Sequence, residues 1–144
     1  MALLISIAMK LSENFTLEEL VASSTAKERD IPNVPDVEQI VNLCKLCIMV
    51  LQPIRDKLKT SIRVKSGFRS EALNKIVGGA VTSQHLKGEA ADIICNNNKL
   101  LWNTIVSMIQ ERKIVVGQLI DEKNLSWIHI SLPTQRHNNQ ILRL

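Results

Sequence analysis

The chain has 144 residues, 45% of them hydrophobic, with a formal net charge of +4 and a sequence pI near 9.1. That is the size and apolar content of one ordinary domain with a real core. The mild basic bias suits an anionic partner, but aromatic residues make up only 3%, tyrosine is absent and Lys and Arg are scattered, so a nucleic-acid surface lacks its stacking rings.

The opening "MALLISIAM" is apolar, yet it has no basic n-region and no small-residue cleavage site, so it reads poorly as a signal peptide. No segment is read as reaching the roughly 20 apolar residues of a membrane span. Residues 1–10 are read as an N-terminal extension, with Met9 an alternative start, ahead of a single domain over 11–144.

"NFTLEEL" predicts a helix start, with Thr16 as N-cap, Glu19 as its capping-box partner, and Phe15 and Leu20 placed for a hydrophobic staple. The helix is expected to run from about 17 to 28, until "DIPNVPD" breaks it. Asp36 then caps a second helix over about 36–58, with Val37, Ile40, Val41, Cys44, Cys47, Ile48, Leu51 and Ile54 as its apolar face and Pro53 as a kink or break. Cys44 and Cys47 form a CxxC, but a zinc knuckle needs a second ligand pair, and a redox CxxC needs a helix N-terminus after a strand. They are read as core cysteines, and with Cys95 they make an odd count that fits a reducing compartment.

Beyond residue 60 the pattern shortens. "SIRVKSGF" alternates as a half-buried strand does, "SEALNKIV" predicts a short helix, and "GGAVTS" a glycine-led turn. "EAADIIC" reads as a buried strand, "NNNKLLWNTIVSMIQER" as a helix of about four turns, and "GQLIDE" and "WIHISL" as two more strands, with "QILRL" a candidate last one. Helices followed by a mostly antiparallel sheet with one packed helix make the fold class α+β.

Chemistry concentrates on three residues. Asp92 stands among Ala90, Ala91, Ile93 and Ile94, where a carboxylate is costly unless paired or metal-bound, and His129 is hemmed by Trp127, Ile128 and Ile130. With His85, ahead of the strand, they make two imidazoles and one carboxylate. That set suits a catalytic Zn²⁺ with a fourth position for water, and also non-haem Fe(II). The oxygenase set usually has HxD or HxE on one strand, whereas six residues separate His85 from Asp92 here, with Gly88 between to turn the chain back.

Three ordered motifs, "SGFRS", "SQHLKGEAAD" and "WIHIS", resemble the M15 family of zinc peptidases, the D-alanyl-D-alanine carboxypeptidase and phage endolysin group that shares a fold with the hedgehog signalling domain. The likeness runs from about residue 11 to 144, and "ENFTLEEL" and "RHNNQILRL" resemble phage and prophage members. It implies His85, Asp92 and His129 as ligands of Zn²⁺. It implies Arg69 as the cation that steadies substrate or the charge developing on the attacked carbonyl. Ser66 and Ser83 are expected to orient neighbouring groups, Gly78, Gly79 and Gly88 to serve backbone geometry, and Ser83 and Gln118 to face substrate.

Some members carry the general base three residues before the last histidine, where this chain has Ser126. Members with the "QLI.E....WxHxS" pattern place a glutamate on the preceding strand, which is Glu122 here; its neighbour Asp121, which alternation turns to the opposite face, is the second candidate for the base. Lys87, Glu89 and His137 are read as solvated surface. The resemblance implies hydrolysis of an amide bond in the stem peptide or cross-link of bacterial peptidoglycan, by a phage or prophage endolysin. The expected form is a monomer, cytoplasmic until released to the wall, with no nucleic-acid partner and no membrane insertion. A zinc-stabilised wall-binding module without catalysis is the competing reading, and an Fe(II) oxygenase the third.

Overall fold

A computed structural model describes residues 9–144; the expectations for residues 1–8 lie outside the described residues. Lys10, assigned to the extension by sequence, already belongs to the fold. It opens strand β1 (Lys10–Ser12), which pairs antiparallel with β2 (Phe15–Thr16) in a two-stranded ribbon that the sequence reading did not anticipate.

The helix expected over 17–28 is two helices, α1 (Leu17–Val21) and α2 (Ser24–Glu28). Ser23 separates them. Its hydroxyl accepts from the Ala26 amide at 3.1 Å, so a second N-cap competes with helix continuation. Thr16 caps α1 as expected, accepting from the Glu19 amide at 3.3 Å, and Phe15 and Leu20 are both buried.

Asp36 and Gln39 form a full capping box at the start of α3 (Val37–Leu46). A π-turn, Cys47–Leu51, joins it to α4 (Gln52–Leu58), and the three run as one helix, Val37–Leu58. Pro53 has no N–H and its ring would crowd the carbonyl four residues back, so the widened turn just before it lets the helix continue. The buried face is Leu43, Leu46, Cys47, Val50, Leu51 and Ile54, while Val37, Val41 and Ile48, expected inside, are exposed. "LCKLCIMVL" is apolar nearly all round, so period alone did not select the face. By length and a mean hydropathy of 1.4 this helix would also suffice to cross a membrane, contrary to the sequence reading. Here its leucine face instead closes the core. Cys47 lies in that face, and burial, with Cys44 alongside, pushes its thiol up to about 12, which leaves it inert.

The main sheet has the order β3-β4-β6-β5-β7, built from β3 (Arg63–Ser66), β4 (Ala90–Ile94), β5 (Gln118–Glu122), β6 (Trp127–Ser131) and β7 (Gln140–Arg143). All pairings are antiparallel except β5 with β7, so the α+β expectation holds and "QILRL" does supply the last strand. Helices α5 (Glu71–Ile76) and α6 (Asn98–Gln110) fall where expected, capped by Ser70 and Asn97. Ala91, Ile93, Leu119, Ile128 and Ile130 line the sheet face that packs with Leu101 and Ile105 of α6 and with the long helix. The other face stays partly open, and it carries Asp92 and His129.

Candidate metal centre

Register places the site. Ser66 pairs with Asp92, Asp92 with His129, and His129 with Ile120, so these four side chains form one row across β3, β4, β6 and β5 on the open face. An irregularity between Val64 and Ser66 sets the β3 end of that row.

His85 reaches the row from a 3₁₀ turn, Gln84–Lys87, whose first amide contact is capped by the Ser83 hydroxyl at 3.2 Å from the His85 amide. Gly88 ends the turn at φ +74°, and a Cβ there would press on the Gln39 carbonyl. The Arg69 amide donates to the His85 carbonyl at 3.0 Å, which ties the "SGFRS" loop to the same turn. The His85 Nδ1–H donates to the Gly67 carbonyl at 2.7 Å, so Nε2 is left to face Asp92 at 3.3 Å. His129 Nδ1 stands 3.0 Å from the same Asp92 oxygen, and the two imidazole rings meet edge to face at 5.1 Å.

Ligating atoms of His85, Asp92 and His129 all lie within 4.8 Å of one another, so the three residues expected as ligands converge on one point. Among the described residues this is the one group of three or more such side chains so arranged. Burial alone would push Asp92 up, but the His129 and His85 rings beside it outweigh that when they are protonated and hold the carboxyl well below the usual range. Burial pulls His85 down from its ordinary 6.5, against the opposing pull of Asp92. An anionic carboxylate and a neutral imidazole are the protonation states that bind a cation.

Arg69 completes the inner wall. Its Nη2 is 3.6 Å from the second Asp92 oxygen, Nε donates to the Ser66 hydroxyl at 3.2 Å, and Nη1 to Asn74 Oδ1 at 2.9 Å. Burial lowers its pKa and Asp92 raises it, and a guanidinium stays charged through such shifts. Ser66 therefore orients the arginine, and Ser83 the 3₁₀ turn.

A cleft of about 320 Å³ opens over the row, lined by Arg69, Ser83, Gln84, His85, Asp92, Gln118, Glu122, Trp127, His129 and His137 among others. Glu122 and Gln118 share the open face, as strand alternation predicts. The Gln118 amide donates to Gln140 Oε1 at 2.9 Å, and His137 Nδ1 meets the same oxygen at 3.2 Å. His137, read as surface, thus belongs to the cleft wall; it lies in a loop with no periodic signal, and only the fold brings it there. Lys87 stays exposed and Glu89 half-buried. Asp121 does not line the cleft. It accepts from the Leu125 amide at 2.6 Å and from Arg143 at 3.1 Å on the far face. A larger hollow of about 590 Å³ near Glu19, Arg63 and Cys95 gathers no such cluster.

Two imidazoles and a carboxylate, converging beside an open cleft with a guanidinium and a free carboxylate on its walls, are the donor set and surroundings of a metal-dependent hydrolase. Residues 13–131 match the Peptidase M15 family, and the chain belongs to it. M15 peptidases are typically zinc-dependent, and the trio fits zinc in donor chemistry, with three N and O ligands and an open side. No curated protein gives a significant match.

Proposed function

We propose that this chain is a zinc peptidase that hydrolyses an amide bond in the stem peptide or cross-link of bacterial peptidoglycan, as a phage or prophage endolysin acting as a monomer on the wall. The observation that supports it most is the convergence of His85, Asp92 and His129 beside Arg69 and Glu122 in one cleft of a Peptidase M15 chain. The charge of +4 agrees with an anionic polymer as partner.

His85, Asp92 and His129 would hold the zinc, and when bound it supplies an acidified water and polarises the scissile carbonyl. Glu122 takes the proton of the attacking water and passes it to the departing amine nitrogen as the C–N bond breaks. Arg69 holds the carbonyl oxygen as it turns anionic, a task that a guanidinium already fixed by Ser66 and Asn74 performs without reorganising. The products are a free carboxylate and a free amine, and no nucleophilic Ser or Cys takes part.

Digestion of purified peptidoglycan, read as new amino groups and by mass spectrometry of the muropeptides, tests the reading and names the bond. Wild-type protein loaded with zinc that releases no amino groups would overturn it. The second reading, a wall-binding module without catalysis, draws on Ser126, whose hydroxyl is engaged with the Lys123 carbonyl at 2.7 Å and offers no base. Glu122→Ala separates the two readings. Loss of hydrolysis with retained wall binding supports the enzyme; a wild-type rate removes Glu122 from its role.

A further inference from the structure

We infer that Asn74, seated against Gly79, is a positioning residue for Arg69: it fixes the guanidinium so that its remaining nitrogen faces the metal-ligand group. The inference rests on the proposed role of Arg69 at the scissile carbonyl.

Asn74 is buried, at 4% exposure, on α5. A buried primary amide must satisfy an acceptor and two donors, so its partners report its role. Its Oδ1 accepts from Arg69 Nη1 at 2.9 Å, and its Nδ2 donates to the Ala80 carbonyl at 2.9 Å. Its own carbonyl accepts from the Gly79 amide at 2.9 Å. One side chain therefore bridges the arginine and the 78–80 loop.

Gly79 shows that the space is used. A Cβ at this position would overlap Asn74 Oδ1 and stand 2.7 Å from Arg69 Nη1. Its φ is not in the left-handed region, so glycine serves here for room and not for backbone freedom, in contrast to Gly78 at φ +76°, and a side chain would displace the ends of Asn74 and Arg69.

Three directions of the guanidinium are thereby assigned. Nε goes to Ser66, Nη1 to Asn74, and Nη2 is left toward Asp92 at 3.6 Å, at the edge of the cleft. A planar fork with two of its nitrogens held cannot rotate the third away from the reacting carbonyl. Removing Asn74 frees that rotation and leaves the three metal ligands in place.

In ¹⁵N spectra of the wild-type protein, with zinc and without, the Arg69 Nη groups should appear as separate, slowly rotating signals. Averaged signals like those of exposed arginines would overturn the inference without any variant being made. With soluble muropeptides as substrate, Asn74→Ala and Gly79→Ala should each lower kcat tenfold or more, with KM within about twofold and zinc content unchanged. Asn74→Ala should cost less than threefold in an Arg69→Lys background. An equal cost in both backgrounds would mean that Asn74 only holds the 78–80 loop, and overturns the inference. A wild-type kcat in Asn74→Ala beside a crippled Arg69→Ala overturns it too, and leaves the role of Arg69 standing. A wild-type kcat in Arg69→Ala overturns that role, and this inference with it.

Discussion

Asp92 and Asp121 are both buried aspartates on strands of one sheet, at 8% and 4% exposure, but they stand on opposite faces. Asp121 is held by the backbone amide of Leu125, four residues on, and by an arginine that also lies over the Trp102 ring, partners that leave its carboxylate nothing further to do. Asp92 is held by two imidazoles and a guanidinium, groups that can bind a cation, move a proton or meet an anion. Burial makes a carboxylate demand partners on either face. The chemistry of those partners, and not the burial, distinguishes a structural aspartate from a candidate metal ligand.

The sharpest way to break that comparison is to remove each aspartate in turn. Asp92→Ala should abolish stoichiometric zinc binding and lower hydrolysis by on the order of a thousandfold or more, as metal analysis and a muropeptide assay would show. Chelation of the wild type should do the same and reverse on adding zinc. Glu122→Gln follows, with zinc content unchanged and kcat lower by about a hundredfold to ten-thousandfold.

On the core face the expected losses are of stability instead. Ile128, next in sequence to His129 but fully buried on the other side, should cost about 2–5 kcal/mol on truncation to Ala in denaturant unfolding. The folded fraction should still bind one zinc. Asp121→Ala should cost less, about 1–3 kcal/mol, because Arg143 is 69% exposed and its ion pair is screened, while the Leu125 amide loses a buried acceptor. A loss of zinc from Asp121→Ala would erase the distinction between the two faces.

The smallest effect is one of pH on the metal-free protein. Both His85 and Asp92 have folded pKa values below their unfolded ones, so each contributes stability above its unfolded pKa that is lost as pH falls. The melting temperature in chelator should therefore decline from about pH 6.5 downward, first through His85 and below about pH 4 through Asp92. A flat profile between pH 7.5 and 5 would remove His85 as the cause.

Much of the site was legible in the chain because its residues are costly where they stand. A carboxylate between two alanines and two isoleucines demands a partner, and the two histidines of the ordered motifs supply it. Strand alternation also placed Glu122 and Asp121 on opposite faces. What was not legible depends on three-dimensional competition. Ser23 as a second cap splits a stretch that no Gly or Pro interrupts before Pro32. The long helix turns Leu43, Leu46 and Leu51 inward, though Val37, Val41 and Ile48 fit the same spacing. Nothing in the chain singles out Asn74, because its partner Arg69 comes within reach only once Ser70 has started α5 and Gly79 has left room.

The row Ser66, Asp92, His129, Ile120 also governs how this protein can change. Asp92 and His129 sit at directly opposed positions of neighbouring strands, so an insertion or deletion of one residue within β4 or β6 would turn one of these candidate ligands into the core and an isoleucine into the cleft. A change of length is tolerable only in the connections, among them the 77–84 segment and the loop of His137, which border the cleft. Loop exchange can therefore reshape the cleft wall, while the strands admit substitution but not a shift of frame.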